Sequence, residues 1–290
     1  MSAPAAPAPA DIRLVALDLD GTVCLPGGAL GPRAARAIRA LAARGVHVVF
    51  STGRSARSTA RLNAELGMAH PQISLNGSVV TDGRGALWHH APLPGQLAAD
   101  VRAKLRDFGL VVVPVLEDLA FHPHDSPWTA ERLAIWELRE TVARGEDDYP
   151  AGATMMFAIG EADAAQAAAA ALRARYGAAL ALFAYQSMSS GHFHVEVRAG
   201  GDDKGSGLRV VRERLGLARE ATLAVGDWLN DLSLLEEAGY RVAMRHAPAA
   251  LRELAHAVTR ATNHTEGAAD FLEAFFDLDG GADHDVGSRG

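Results

Sequence analysis

Asp18 and Asp20 stand two residues apart in the segment LVALDLDGTV, residues 14–23, which breaks at Gly21. The apolar run Leu14, Val15, Ala16 and Leu17 is short and uninterrupted, as a parallel strand covered on both faces requires, although periodicity alone also fits buried helix. In open α/β sheets, ligands bind beyond the carboxyl ends of the strands, where both carboxylates would then lie. Two carboxylates there repel each other. A divalent cation relieves that repulsion, holds a phosphate nearby and leaves one carboxylate oxygen to attack phosphorus. The pattern points to phosphoryl transfer. A calcium loop also opens with D-x-D, but it needs further oxygen ligands and a glutamate at its twelfth position, whereas this chain continues Thr22, Val23, Cys24, Leu25. A solvated acidic turn is the other reading, and the short motif alone leaves it open.

A second acidic segment, GDWLND, spans residues 226–231. Asp227 leaves an apolar run at a glycine turn, and Asn230 and Asp231 follow on one face of the helix expected to begin there. The structural alternative is helix capping by Asp227. Two more strand ends finish in polar, glycine-containing turns: Ser51, Thr52, Gly53 and Arg54 after one, Asn76 and Gly77 after another. Lys204 opens a helix, where the macrodipole disfavours a cation, so its position argues for ligand binding. Arg54 admits a simpler duty, an ion pair with a neighbouring carboxylate.

The elements that carry these side chains alternate. A helix over residues 32–44, closed by Gly45 and followed by a strand over 46–50, completes a βαβ unit with the first strand. From residue 84 to 196 the pattern changes: helix 95–108, strands 110–115 and 119–122, a helix opening at Ser126 and Pro127, strand 153–159, an alanine-rich helix 161–176, and strands 179–185 and 192–197. The parallel pattern then resumes with helix 204–215 and strands 222–225 and 240–243. The expectation is an α/β fold with a parallel sheet and a separate α/β domain inserted at residues 84–196. Residues 1–10, mostly Ala and Pro, and 279–290, rich in Gly and Asp, read as disordered tails.

Composition narrows the partners. Lys and Arg total 28 against 35 Asp and Glu, a formal charge of −7, which disfavours nucleic-acid binding as the main function. No stretch reaches the roughly 18 consecutive apolar residues of a membrane span, and the first residues lack the order of a signal peptide, so no membrane partner is expected and the cytoplasm is the expected location. Cys24 is the only cysteine, which excludes an intrachain disulfide. His192, His194 and Glu196 alternate on one face of a strand, and His122 with His124 repeats the spacing; zinc is imaginable there, but a fourth ligand is not evident. Trp128, Trp136 and Tyr185 read as packing residues, or else as the substrate face of the inserted domain.

Taken in order and spacing, DLDGT at 18–22, STGR at 51–54, NG at 76–77, DKG at 203–205 and GDWLND at 226–231 resemble the haloacid dehalogenase superfamily of phosphohydrolases. The match is to its Cof-like branch, with a large α/β cap inserted between the second and third motifs. The resemblance implies a Rossmann-like doubly wound parallel sheet core over residues 11–83 and 197–278 and a cap over 84–196. Carried over by position, it makes Asp18 a nucleophile that becomes an aspartyl-phosphate and Asp20 the general acid and base. Asp18, the main-chain carbonyl of Asp20 and Asp227 would bind Mg²⁺, with Asp231 as a water-mediated or outer ligand. Thr52 and Lys204 would hold phosphoryl oxygens. Gly53, Arg54, Asn76, Gly77 and Asn230 would add phosphate or substrate contacts. The implied function is a Mg²⁺-dependent phosphatase of a small phosphorylated metabolite, with a sugar phosphate as the expected substrate. A phosphomutase, or a catalytically weak phosphometabolite-binding regulatory protein, is the alternative. Two departures stand out: Arg245 and His246 replace the glycine and asparagine that relatives often carry, and Trp228 replaces a small or polar residue.

Overall fold

A computed structural model of the chain describes residues 7–123, 133–134, 136–186 and 191–278. Its strands are β1 (Leu14–Leu17), β2 (His47–Phe50), β3 (Gln72–Ser74), β4 (Val79–Thr81), β5 (Leu87–His90), β6 (Val111–Leu116) and β7 (Leu119–Pro123) in the first half. The second half adds β8 (Arg139–Ala143), β9 (Met155–Gly160), β10 (Leu180–Gln186), β11 (Phe193–Ala199), β12 (Thr222–Gly226), β13 (Tyr240–Ala243) and β14 (Ala257–Val258). The helices are α1 (Pro32–Ala43), α2 (Ala56–Glu65), α3 (Gly95–Asp107), α4 (Ala162–Tyr176), α5 (Lys204–Arg214), α6 (Leu232–Glu237), α7 (Ala249–Leu254) and α8 (Gly267–Phe276). Contacts divide the chain into two units, residues 1–49 with 215–290, and residues 50–214.

The first unit carries the sheet ordered β14-β13-β12-β1-β2, in which β1 pairs β12, β12 pairs β13 and β13 pairs β14, all parallel. All four residues of β1 are buried, which is why the run 14–17 shows no alternation. Helix α1 starts at Pro32, turns Ala34, Ala37, Ile38 and Leu41 inward, and is followed by Gly45 at φ 77°. Its first amides, those of Arg33 and Ala34, donate to the Glu266 carboxylate at 2.7 and 2.9 Å, so an acidic group from the far end of the chain caps it.

The second unit holds two further sheets. One is ordered β3-β4-β5 and is antiparallel. The other, ordered β10-β11-β9-β6-β7-β8, is antiparallel except where β7 pairs β8. Period-two alternation fixes its two faces. Val112, Met156, Ala158, Val195 and Val197 pack with α3 and α4 through Val101, Leu105, Ala168 and Leu172. Val113, Val115, Phe157 and Ile159 line the opposite face with Leu75, Val79 and Trp136.

Several expectations need adjusting. Residues 7–10 belong to the described part, and Pro9–Asp11 form a single turn rather than a tail, while residues 1–6 and 279–290 lie outside the described residues. The helix expected at Ser126 and Pro127 also lies outside them, as do His124 and Trp128. Residues 50–83 and 197–214, which the resemblance assigns to the core, group by contacts with residues 84–196. Asn230 and Asp231 are not on the opening helix: Leu229–Asp231 form a 3-10 turn, and α6 begins only at Leu232. No described helix is long and apolar enough to cross a membrane.

Candidate active site

In the first unit, parallel pairing brings two carboxylates together. Leu17 is the register partner of Val225, and the Asp18 amide donates to the Val225 carbonyl at 3.0 Å, so β1 and β12 end side by side. Asp18 follows the one directly, and Asp227 follows Gly226 at the end of the other. Asp231 joins them: all three are buried, and each offers an oxygen within 4.8 Å of the others. The Asp231 Oδ2 accepts the main-chain N–H groups of Asp227 and Trp228, both at 3.0 Å. Asp231, not Asp227, is therefore the side chain that caps this turn.

The glycines in the motifs make room for the carboxylates. Gly21 has φ 86°, and a Cβ there would collide with the Asp227 carboxylate. A Cβ on Gly226 would fall 2.5 Å from the Asp231 Cβ. Thr22 Oγ1 donates to Asp227 Oδ1 at 3.4 Å, and His246 Nε2 lies 3.3 Å from Asp227 Oδ2. Asp20 is exposed on the same turn, and Asn230 is half-buried. Three buried carboxylates, two at adjoining strand ends and one on the turn that follows, form an all-oxygen donor set of the kind hard divalent cations take. Among the described residues no other group of three or more His, Cys, Asp or Glu meets that spacing.

In the second unit, Thr52, Gly53, Arg54, Asn76, Gly77 and Lys204 converge. The Thr52 amide donates to the Ile73 carbonyl at 3.0 Å, the Leu75 amide to the Arg54 carbonyl at 2.9 Å, and the Asn76 amide to the Thr52 carbonyl at 2.8 Å. The loop after β2 and the turn after β3 are thus laced together. Thr52 Oγ1 accepts the Arg54 amide at 3.2 Å. A Cβ on Gly53 would approach Asn76 Nδ2 to 3.2 Å, and one on Gly77, whose φ is 103°, would collide with the Asp203 carbonyl. Lys204 opens α5 and is only 1% exposed. An ammonium so buried must be balanced by acceptors or anions.

Arg54 is buried, and its charge helps to hold the Glu137 carboxyl below the usual range, although the larger cause is the hydrogen bond from Arg61. Its simpler reading, interaction with a neighbouring carboxylate, has that support. The zinc reading of His194 and Glu196 fails on their contacts. Glu196 accepts Asn76 Nδ2 at 2.9 Å and the Tyr185 hydroxyl at 2.8 Å, and His194 stacks on the Tyr185 ring at 5.4 Å between centroids. Trp136 is core, edge-on to Phe157 at 5.5 Å.

The family model of the haloacid dehalogenase-like hydrolases matches residues 15–272. The chain belongs to this family. Among curated haloacid dehalogenase-like relatives, it is 29% identical to the 5-amino-6-(5-phospho-D-ribitylamino)uracil phosphatase YitU of Bacillus subtilis, over 91% of this chain and 98% of that protein. It is also 29% identical to the phosphatase YcsE of the same organism, which carries the same substrate in its name, over 89% and 94%. A solved haloacid dehalogenase-like hydrolase from Bacteroides thetaiotaomicron shares its fold, with a TM-score of 0.81 at 23% identity, covering 91% of this chain and all of that one. In this haloacid dehalogenase-like hydrolase, Thr22, Glu196 and His246 touch the expected site residues without having been expected to. Thr22 was visible inside the first motif, and His246 as a departure from the family pattern. Glu196 was visible only as one of an alternating row, because its partner Asn76 is 120 positions away.

Proposed function

We propose that the chain is a Mg²⁺-dependent phosphatase that hydrolyses a small phosphorylated metabolite, a sugar or polyol phosphate, through an aspartyl-phosphate on Asp18. The observation that carries this reading is the clustering of Asp18, Asp227 and Asp231 oxygens within 4.8 Å at the ends of paired parallel strands. Family membership supports the reaction, and the ribityl phosphate in the names of two relatives supports the substrate class.

Asp18, Asp227 and Asp231, with the main-chain carbonyl of Asp20, would hold the Mg²⁺, whose charge screens the carboxylates and the phosphoryl oxygens. A carboxylate oxygen of Asp18 attacks phosphorus as the ester P–O bond breaks. Asp20, on the exposed side of the turn where protons exchange with solvent, protonates the departing alkoxide. It then takes a proton from water, whose oxygen attacks the aspartyl-phosphate and frees inorganic phosphate and the Asp18 carboxylate. Thr52 and Lys204 hold the phosphoryl oxygens, and because this chemistry is mostly positioning and charge stabilisation, the lysine ammonium carries much of the rate. Gly53, Arg54, Asn76, Gly77 and Asn230 complete the phosphate and substrate contacts. Residues 84–196 act as the cap that excludes water. A reducing compartment suits the lone buried Cys24, and we place the enzyme in the cytoplasm.

The test is Asp18→Asn assayed for phosphate release with a panel of phosphorylated metabolites, with and without Mg²⁺. Turnover falls by about 10⁴-fold or more while the melting temperature is retained. Phosphate release unchanged by the substitution would refute the mechanism. Phosphate reappearing on another substrate position instead of in solution identifies a mutase, and metabolite binding without any turnover a regulatory protein.

A further inference from the structure

The residues that end β3 have an unusual backbone. Leu75, Asn76 and Gly77 have φ of 47°, 53° and 103°, so two side-chain-bearing residues in succession lie in the left-handed region. Such a conformation persists only where its surroundings over-determine it. Part of that constraint is visible in the core, where the buried Leu75 side chain joins Val113 and Phe157, and in the amides of Leu75 and Asn76, which are bound by Arg54 and Thr52.

The rest comes from two charged residues on β11. Glu196 and Arg198 are two positions apart on one face of the strand, 3% and 5% exposed, and the proposed reaction uses neither. Glu196 Oε2 accepts from Asn76 Nδ2, and because a carboxylate offers only acceptors, this contact dictates which way the amide points. Arg198 Nη1 donates to the carbonyl of Asn76 at 2.6 Å and to that of Asp202 at 2.9 Å. One guanidinium thus bridges the left-handed turn and the segment that opens α5 at Lys204. Gly77 completes the fit, its missing Cβ leaving space that the Asp203 carbonyl occupies. Buried charges contribute little net stability compared with apolar replacements, so fixing one geometry is the more economical account of this pair.

We propose that Glu196 and Arg198 are positioning residues that pin the turn at residues 75–77 to the turn at 202–204, so that the Asn76 amide and the Lys204 ammonium are presented to the phosphoryl group as one rigid pair. This rests on the reading of Lys204 as a phosphoryl ligand. The experiment compares wild type with Glu196→Gln, Arg198→Met and Arg198→Lys. Calorimetric binding of inorganic phosphate in the presence of Mg²⁺, a separate Mg²⁺ titration, kcat and KM for p-nitrophenyl phosphate, and melting temperature are measured for each. Glu196→Gln and Arg198→Met weaken phosphate binding by about tenfold or more, the usual scale for loss of a supporting contact, with Mg²⁺ affinity within about twofold and partial recovery in Arg198→Lys. Phosphate binding and kcat/KM both within about twofold of wild type in folded Glu196→Gln would overturn the proposal. Should Arg198→Met not fold, Glu196→Gln decides alone, since it keeps size and shape. Should wild type neither bind nor release phosphate, the functional reading fails, and hydrogen exchange at the amides of residues 75–78 and 203–206 decides the positioning claim: faster exchange in Glu196→Gln upholds it, unchanged exchange overturns it.

Discussion

Gly21 shows how a single hydrogen atom can be a functional group. Its φ of 86° and the Asp227 carboxylate against its Cα both exclude a side chain, so Gly21→Ala strains the backbone and displaces a proposed metal ligand at once. We expect a loss of about 1–2 kcal/mol in denaturant unfolding from the left-handed backbone alone. A Mg²⁺ affinity at least about tenfold weaker by calorimetry follows from the displaced carboxylate. Asp231→Ala is expected to act through the backbone too, leaving the amides of Asp227 and Trp228 without their acceptor. That costs roughly 1–3 kcal/mol in the same unfolding measurement. Asp18, Asp227 and Lys204 stood out in the sequence as candidates because each is a polar residue at the end of an apolar run or the start of a helix, although a solvated turn or a helix cap would account for the first two as well. Leu75 was not legible, since nothing about a leucine after a strand announces a left-handed backbone that only distant contacts enforce.

Burial made most elements readable but not all, since β4 (Val79–Thr81) is buried throughout and carried no expectation. β1, β9 and β12 are buried throughout and matched the expected runs within two residues, and α3 and α4 matched within one. β5 and β8 were missed because Leu87–His90 is mostly half-buried and Arg139–Ala143 mostly exposed, and neither carries an apolar run or a clean alternation. The turn at Leu229–Asp231 was taken for helix because the difference lies in where Asp231 sends its carboxylate. Element packing also sets a pH dependence. Burial, with nearby arginines adding to it, pulls the imidazoles of His47 on β2 and His256 before β14 below their ordinary value of 6.5. The unfolded chain then binds more protons than the folded one in the window just below 6.5, so the stability these residues contribute is complete above that pH and is lost as pH falls through it. The urea midpoint should fall between about pH 7 and pH 5.5, and His256→Asn should flatten the fall. A midpoint that is level across this range in wild type would contradict the assignment.

The division of the whole chain was only partly foreseeable. That an α/β segment interrupts a parallel pattern was plain from the order of elements. The placement of residues 50–83 was not, because Leu75 and Val79 pack into the same core as Phe157, and hydrophobicity does not say which core a residue joins. A metal held by Asp18, Asp227 and Asp231 draws all its side-chain ligands from the first unit. Mg²⁺ at 100 times its dissociation constant should stabilise that unit by about 2.7 kcal/mol. In hydrogen exchange the added protection should fall on residues 14–49 and 215–278 and leave β6 and β9 unchanged.

The pairing of β1 with β12 also matters before the protein is finished. Leu14 and its register partner Thr222 are separated by roughly 200 residues, and at 5–20 residues per second a ribosome takes roughly 10–40 s to make the second after the first. Through that interval the newborn strand that ends at the proposed nucleophile is an apolar segment without its β12 neighbour, while the intervening residues are synthesised. The proposed nucleophile is thus made well before the strand that pairs beside it, and a chaperone that shelters unpaired apolar strands would find its client in β1 until β12 emerges.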